Sequence, residues 1–180
     1  MLRGLCLIGL VSGCTDIVGF TALPEAPLRA ELTAPFQHNA FVDNEAYWQG
    51  EVQTAADAWN TALIEQGCEP VFRVTIDPDE AAYPVVLYTY DGWPHDAALV
   101  GLLHAGELGE GWIAIRNRKS THANLPTIVH ELGHALGLPH DETRGSVMTA
   151  RVGDLARPSV ADVRASCGAG PDVRGSCCDR

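Results

Sequence analysis

Positive charge is scarce in this chain. Lys and Arg together number 12 against 23 Asp and Glu, a formal net charge of −11 over 180 residues. Phosphate backbones and anionic bilayers are bound through clustered Lys and Arg, so nucleic acid is excluded as a partner class. Charge of either sign is modest at 19%, while 46% of residues are apolar. That balance belongs to a globular chain, not a disordered one. The apolar stretch from Gly4 to Val11 falls far short of the ~20 residues a spanning helix needs. No internal repeat is visible, which excludes a solenoid, and the length fits one domain with short extensions. Methionine is nearly missing too: beyond Met1 there is only Met148.

What is present begins with the ends. Met1, Leu2 and Arg3 form a short positive segment ahead of the apolar stretch, so residues 1–13 read as an export signal. Val11-Ser12-Gly13-Cys14 resembles the lipobox of bacterial lipoproteins. The resemblance implies that Cys14 is acylated, becomes the new N-terminus and holds the protein on the membrane of the cell envelope by several acyl chains. An ordinary secretory signal cut nearby, giving a soluble product, is the alternative. Residues 14–37 contain Pro24, Pro27 and Pro35 among small residues and read as anchor and tether. The domain proper is expected over 38–167, with a Cys-containing tail at 168–180. Cys68, Cys167, Cys177 and Cys178 allow two disulfides in three connectivities, and spacing does not choose among them. A bond between adjacent Cys177 and Cys178 is strained, so each is expected to pair elsewhere or one to stay free.

Between these ends the periodicities alternate. Val52, Ala55, Ala56, Trp59 and Leu63 recur at helical steps and predict a helix from about 45 to 66, stopped by Gly67. Strand-like runs follow at 71–76, 85–90, 99–105 and 112–116, separated by Asp-Pro-Asp, Asp-Gly and glycine-rich breaks. A second helix is expected to open near Asn124 with Pro126 in its first turn, carry the stripe Ile128, Val129, Leu132, Ala135, Leu136, and stop at Gly137 and Pro139. A short last helix begins after Ser159. The fold class is α+β: a twisted mixed sheet of about four to five strands with three helices.

The chemistry concentrates in the second helix. His130-Glu131-Leu132-Gly133-His134 is an H-E-x-x-H pattern. Residues four apart share a helix face, so His130 and His134 can reach one ion, and neutral imidazole suits Zn²⁺. Glu131 is placed to meet a water at the metal rather than the metal itself. Gly137 and His140 extend the pattern to H-E-x-x-H-x-x-G-x-x-H. A ligand six residues after the second cannot lie on the same straight helix. The chain has to turn out sharply, which Gly allows through positive φ. Three protein ligands with one open position is the arrangement of a catalytic zinc.

These residues resemble the metzincin zinc metallopeptidases, most closely the matrixin branch, over roughly residues 36 to 167. Ser146-Val147-Met148 matches the family's Met-turn, with Met148 beneath the metal, and Leu103-His104-Ala105 and Asn124-Leu125 add to the likeness. The resemblance implies a single catalytic Zn²⁺ on His130, His134 and His140, Glu131 as general base, and hydrolysis of a protein or peptide substrate. It also implies that Asp141 braces the helix by a hydrogen bond, and that an extended substrate adds to the strand of Val100 to Ala105. A catalytically silent zinc-binding surface lipoprotein is the alternative, and the presence of the base Glu131 speaks against it. Some matrixin features are missing. Trp112 stands near a position where that branch has a histidine for a structural zinc, with His104 at another and His95 and Asp96 as candidate remnants. His38, His95, His104 and His122 are therefore read as ordinary histidines and a second zinc is not expected. No Tyr follows Met148 by two residues, and the Pro and Tyr that wall the matrixin substrate pocket are missing.

Overall fold

A computed structural model of the chain describes residues 26–32, 44–77, 79–81, 83–88, 92–94, 100–105, 111–117 and 124–168. Cys14 and the export signal, His38, His95, Asp96, His122, Cys177 and Cys178 lie outside the described residues. The elements run β1 (Ala26–Leu32), α1 (Asn44–Glu65), β2 (Phe72–Val74), β3 (Tyr83–Tyr88), β4 (Gly101–Ala105), β5 (Gly111–Arg116), α2 (Asn124–Ala135) and α3 (Val160–Gly168). One five-stranded sheet has the order β2-β1-β3-β5-β4. Its first four strands are parallel, and β4 pairs antiparallel with β5 at the edge. The fold is α+β with a mixed sheet, as expected.

The tether expected over 14–37 needs correction, because residues 26–32 form a strand inside the sheet. Leu28 and Ala30 are buried at alternate positions, the period of a strand with one face covered. Pro27 hid it, since proline in a strand lacks a donor. Pro27 sits one residue before the first pair with β3, Leu28↔Tyr83, so its missing N–H leaves no gap in that ladder. Pro84 is accommodated the same way, one residue before the β3–β5 pairing begins at Val85↔Ile113.

Helix α1 crosses between the parallel strands β1 and β2 and buries Trp48, Val52, Ala55, Ala56, Trp59, Ala62 and Leu63 on one side. Its end is a Schellman turn. Gly67 takes φ of 78°, Gly67 N donates to Ile64 O at 2.9 Å, and Cys68 N donates to Leu63 O at 3.0 Å. Helix α1 packs on β1 and β2, α2 packs on β4 and β5, and the two helices touch each other. Both therefore cover the same face of the sheet. Buried between are Leu28, Val85, Leu87, Leu103, Ile113 and Ile115 from the strands and Ile128, Val129 and Leu132 from α2.

Polar contacts lock this packing. Trp59 Nε1 donates to Val129 O at 2.8 Å and Trp48 Nε1 to Val85 O at 3.2 Å, so each buried indole finds its partner across an interface. The buried Glu51 accepts from Tyr47 at 3.2 Å and from Asn124 at 3.5 Å, tying α1 to the start of α2. Burial and the neighbouring Glu51 charge push the Tyr47 hydroxyl up to about 12. A disulfide joins Cys68, just past α1, to Cys167 in α3. That settles one pairing the spacing had left open. Among the described residues, no helix is long and apolar enough to cross a membrane.

Candidate metal centre

Helix α2 carries two of the expected ligands on a fully buried segment, with every residue from Pro126 to Ala135 buried. It ends as α1 does. Gly137 takes φ of 82°, its N–H donates to His134 O at 2.8 Å, and Leu138 N donates to Gly133 O at 3.1 Å. This left-handed residue swings the chain back so that His140 meets the first two histidines, as the motif spacing requires. Ring centroids lie 4.7 Å apart for His130 and His134, 4.9 Å for His134 and His140, and 5.4 Å for His130 and His140.

The tautomers are set by the backbone. His130 Nδ1 is 2.7 Å from Val147 O and His134 Nδ1 is 2.8 Å from Leu138 O. A carbonyl only accepts, so each Nδ1 carries the proton and each Nε2 presents a lone pair. The two Nε2 atoms stand 3.1 Å apart. Two acceptor nitrogens that close repel unless a cation lies between them, and ligands at ~2.0–2.1 Å on a tetrahedral zinc stand at about this separation. One ligand atom from each of the three histidines falls within 4.8 Å of the others. This donor set fits zinc. Burial, with the neighbouring imidazoles adding to it, pulls His130 down to about 4 and His134 down to about 3. Both are therefore neutral at pH 7, the form that ligates.

Glu131 is fully buried, and its carboxylate lies against Gly101 of the edge strand β4. A Cβ built on Gly101 would overlap Glu131 Oε1 and stand 2.7 Å from Thr127 Cγ2. Only the absence of a side chain at 101 lets the strand pass over the glutamate.

Met148 lies beneath the helix, 1% exposed. A Cβ on Gly133 would overlap its Sδ, so the small residue inside the H-E-x-x-H pattern is what seats the methionine. The turn holding it is knit from several directions. Asp141 N donates to Met148 O at 2.8 Å, Ser146 N to Thr143 O at 3.0 Å, and Ala150 N to Glu142 Oε1 at 3.1 Å. Asp141 does not brace the helix as expected. Hydrogen bonds from the Thr143 side chain and from Thr143 N, the latter at 2.8 Å, hold its carboxyl below the usual range, and it shapes the loop between His140 and the Met-turn.

Sequence reasoning missed Asp162. Its carboxylate, 3% exposed, accepts from Ser146 Oγ at 2.5 Å, from Val147 N at 3.2 Å and from Ser159 N at 2.7 Å. The Ser159-x-x-Asp162 spacing signals a helix cap, and Asp162 N returns a bond to Ser159 Oγ at 3.2 Å. Nothing in that spacing announces the contacts with the Met-turn. His104 sits in β4 opposite Trp112 of β5. Among the described residues, His130, His134 and His140 form the single group of three or more candidate metal ligands.

No curated protein matches the chain. The matrixin model of peptidase family M10 matches residues 36–164, a stretch that holds α1, four of the five strands, all three histidines, Glu131 and Met148. With that match laid over this geometry, the chain belongs to the matrixin family, which uses zinc, and its three-histidine group fits the family's catalytic metal site.

Proposed function

We propose that the protein is a zinc endopeptidase holding one catalytic ion per chain. The observation that carries this is the convergence of His130, His134 and His140 beside the buried Glu131 of α2. A zinc ion held there supplies a Lewis acid that polarises a carbonyl and brings the pKa of a coordinated water toward ~7. The chain supplies the rest. Val147 O and Leu138 O hold the two helical imidazoles in the ligating tautomer. Glu131 takes a proton from the attacking water on a carboxylate oxygen and delivers it to the leaving amine nitrogen. Strand β4 is the outer strand on the side where α2 packs, and its Gly101 touches Glu131. An extended peptide added along β4 would run past the carboxylate, bound by its backbone with little demand on sequence.

The protein acts outside the cytoplasm in this reading, anchored through an acylated Cys14. The Val11-Ser12-Gly13-Cys14 pattern supports the anchor, and the Cys68–Cys167 disulfide supports an oxidising compartment.

The deciding experiment measures zinc content and cleavage of a casein-like substrate, with a chelator control, for wild type, Glu131→Ala and His134→Ala. Glu131→Ala is expected to keep its zinc while hydrolysis falls by at least the order of 10²–10⁴-fold that general-base loss costs. His134→Ala should lose the metal. A Glu131→Ala protein that cleaves as fast as wild type refutes the mechanism. Wild type that holds zinc and cleaves no peptide tried would favour the silent zinc-binding lipoprotein instead.

A further inference from the structure

The amide that joins Val147 to Met148 is engaged at both ends. Its carbonyl accepts from His130 Nδ1 at 2.7 Å, and its N–H donates to Ser146 Oγ at 2.9 Å. Ser146 Oγ donates onward to Asp162 Oδ1 at 2.5 Å. The direction of every proton is fixed by chemistry. An amide N–H can only donate, so the serine hydroxyl hydrogen is left for Asp162, and the amide carbonyl can only accept, so the imidazole hydrogen is on Nδ1. The result is one unbroken run of hydrogen bonds from the Asp162 carboxylate to a metal-facing ring, all of it buried.

We propose that Asp162 is a positioning residue for the zinc site, acting on His130 through Ser146 and the Val147–Met148 amide. This rests on the zinc reading above and deepens it. In a buried run each bond polarises the next, and negative charge at one end draws protons toward it along the whole length. Electron density at His130 Nε2 rises, which makes it a better ligand, and the ring is held in one orientation. A carboxylate reaches a ligating histidine here without touching it, through the turn that also carries Met148. His134 is different: its Nδ1 bonds Leu138 O at 2.8 Å, outside this run.

The competing account is that Asp162 only caps α3, through its reciprocal bonds with Ser159. Ser146 takes no part in that cap, so the two accounts separate at Ser146. The test uses Ser146→Ala and Asp162→Asn. Zinc affinity is measured by chelator competition, and the imidazole Nδ1–H resonances of His130 and His134 are followed by NMR in zinc-loaded and zinc-free protein. We expect zinc binding to weaken by roughly 10- to 100-fold, as for lost outer partners of metal ligands. The His130 resonance should move upfield while that of His134 stays, because only the first lies on the run. Unchanged zinc affinity in folded Ser146→Ala overturns the proposal, and so do resonances that shift together or not at all. If Asp162→Asn does not fold, Ser146→Ala decides alone. Wild type that holds zinc without peptidase activity would sink the functional reading and leave this one standing. Wild type that binds no zinc would sink the zinc reading, and the zinc-free resonances would still report on the run of bonds.

Discussion

A methyl group added at Gly133 tests the packing of Met148 against α2. Two effects oppose each other in Gly133→Ala. Alanine in a helix interior is favoured over glycine by about 1 kcal/mol. Against this, the new Cβ overlaps Met148 Sδ, stands 3.0 Å from Trp59 Cζ2 and 3.1 Å from Met148 Cε. The indole cannot retreat, since it is fully buried and its Nε1 is bonded to Val129 O. The methionine backbone is held as well, by Ser146 Oγ on its N–H and by Asp141 N on its carbonyl. Only the thioether can move, into surroundings that are already filled. Overpacking of this kind costs about 1–3 kcal/mol, so it should outweigh the propensity gain and leave a net loss of about 1 kcal/mol. Any shift of Met148 also drags Val147 O, which orients His130, so zinc affinity should fall with stability. Urea unfolding of the metal-free domain and a zinc titration read both quantities. A variant stabilised by ~1 kcal/mol with unaltered zinc binding would mean that the propensity term acts alone and that Met148 is not packed as described.

Three further outcomes are expected. Serine at both Cys68 and Cys167 should destabilise the domain by about 2–5 kcal/mol, because the bridge joins cysteines 99 positions apart, and denaturant unfolding with and without reductant measures it; a loss below about 1 kcal/mol would contradict the expectation. In the metal-free protein His130 and His134 are depressed to about 4 and about 3 from an ordinary value of 6.5. Between pH 6.5 and 4 the unfolded chain therefore takes up protons that the folded one refuses. Stability is then full above pH 6.5 and falls as the pH drops, by up to about 1.4 kcal/mol per pH unit for each imidazole, and a flat profile from pH 7 to 5 would contradict the burial of the rings. Expressed in a bacterial host with its own leader, the chain should partition with membranes and carry an acyl mass on Cys14, whereas Cys14→Ser should be released or left uncut. A soluble wild type with an unmodified N-terminus would remove the anchor.

The parts legible in the sequence are those whose cause is local. Helix α2 and its ligands follow from a spacing of four, and the exit toward His140 follows from one glycine, so H-E-x-x-H-x-x-G-x-x-H announces geometry directly. Helix α1 was equally plain from its apolar face. Strand β1 was not, because two prolines within four residues look like a tether until the neighbouring strands show where donors are not needed. Asp162 and Ser146 are 16 residues apart, and their bond depends on α3 folding back under the Met-turn. Gly101 and Glu131 meet only once the sheet is assembled. The Cys68–Cys167 pairing needed the ends of α1 and α3 in place. What escaped the sequence is in each case a contact between separate elements.

The bridge between Cys68 and Cys167 has a further consequence for what proteolysis can do to the chain. His130, His134, His140, Glu131 and Met148 all lie between those two cysteines. A single backbone cut anywhere from residue 69 to 166 leaves two pieces that cannot diffuse apart. The nicked molecule gains only the one water of hydrolysis, and its two pieces stay covalently joined. On a denaturing gel it separates into fragments only once reductant is added, so such a cut stays hidden there until the disulfide is opened.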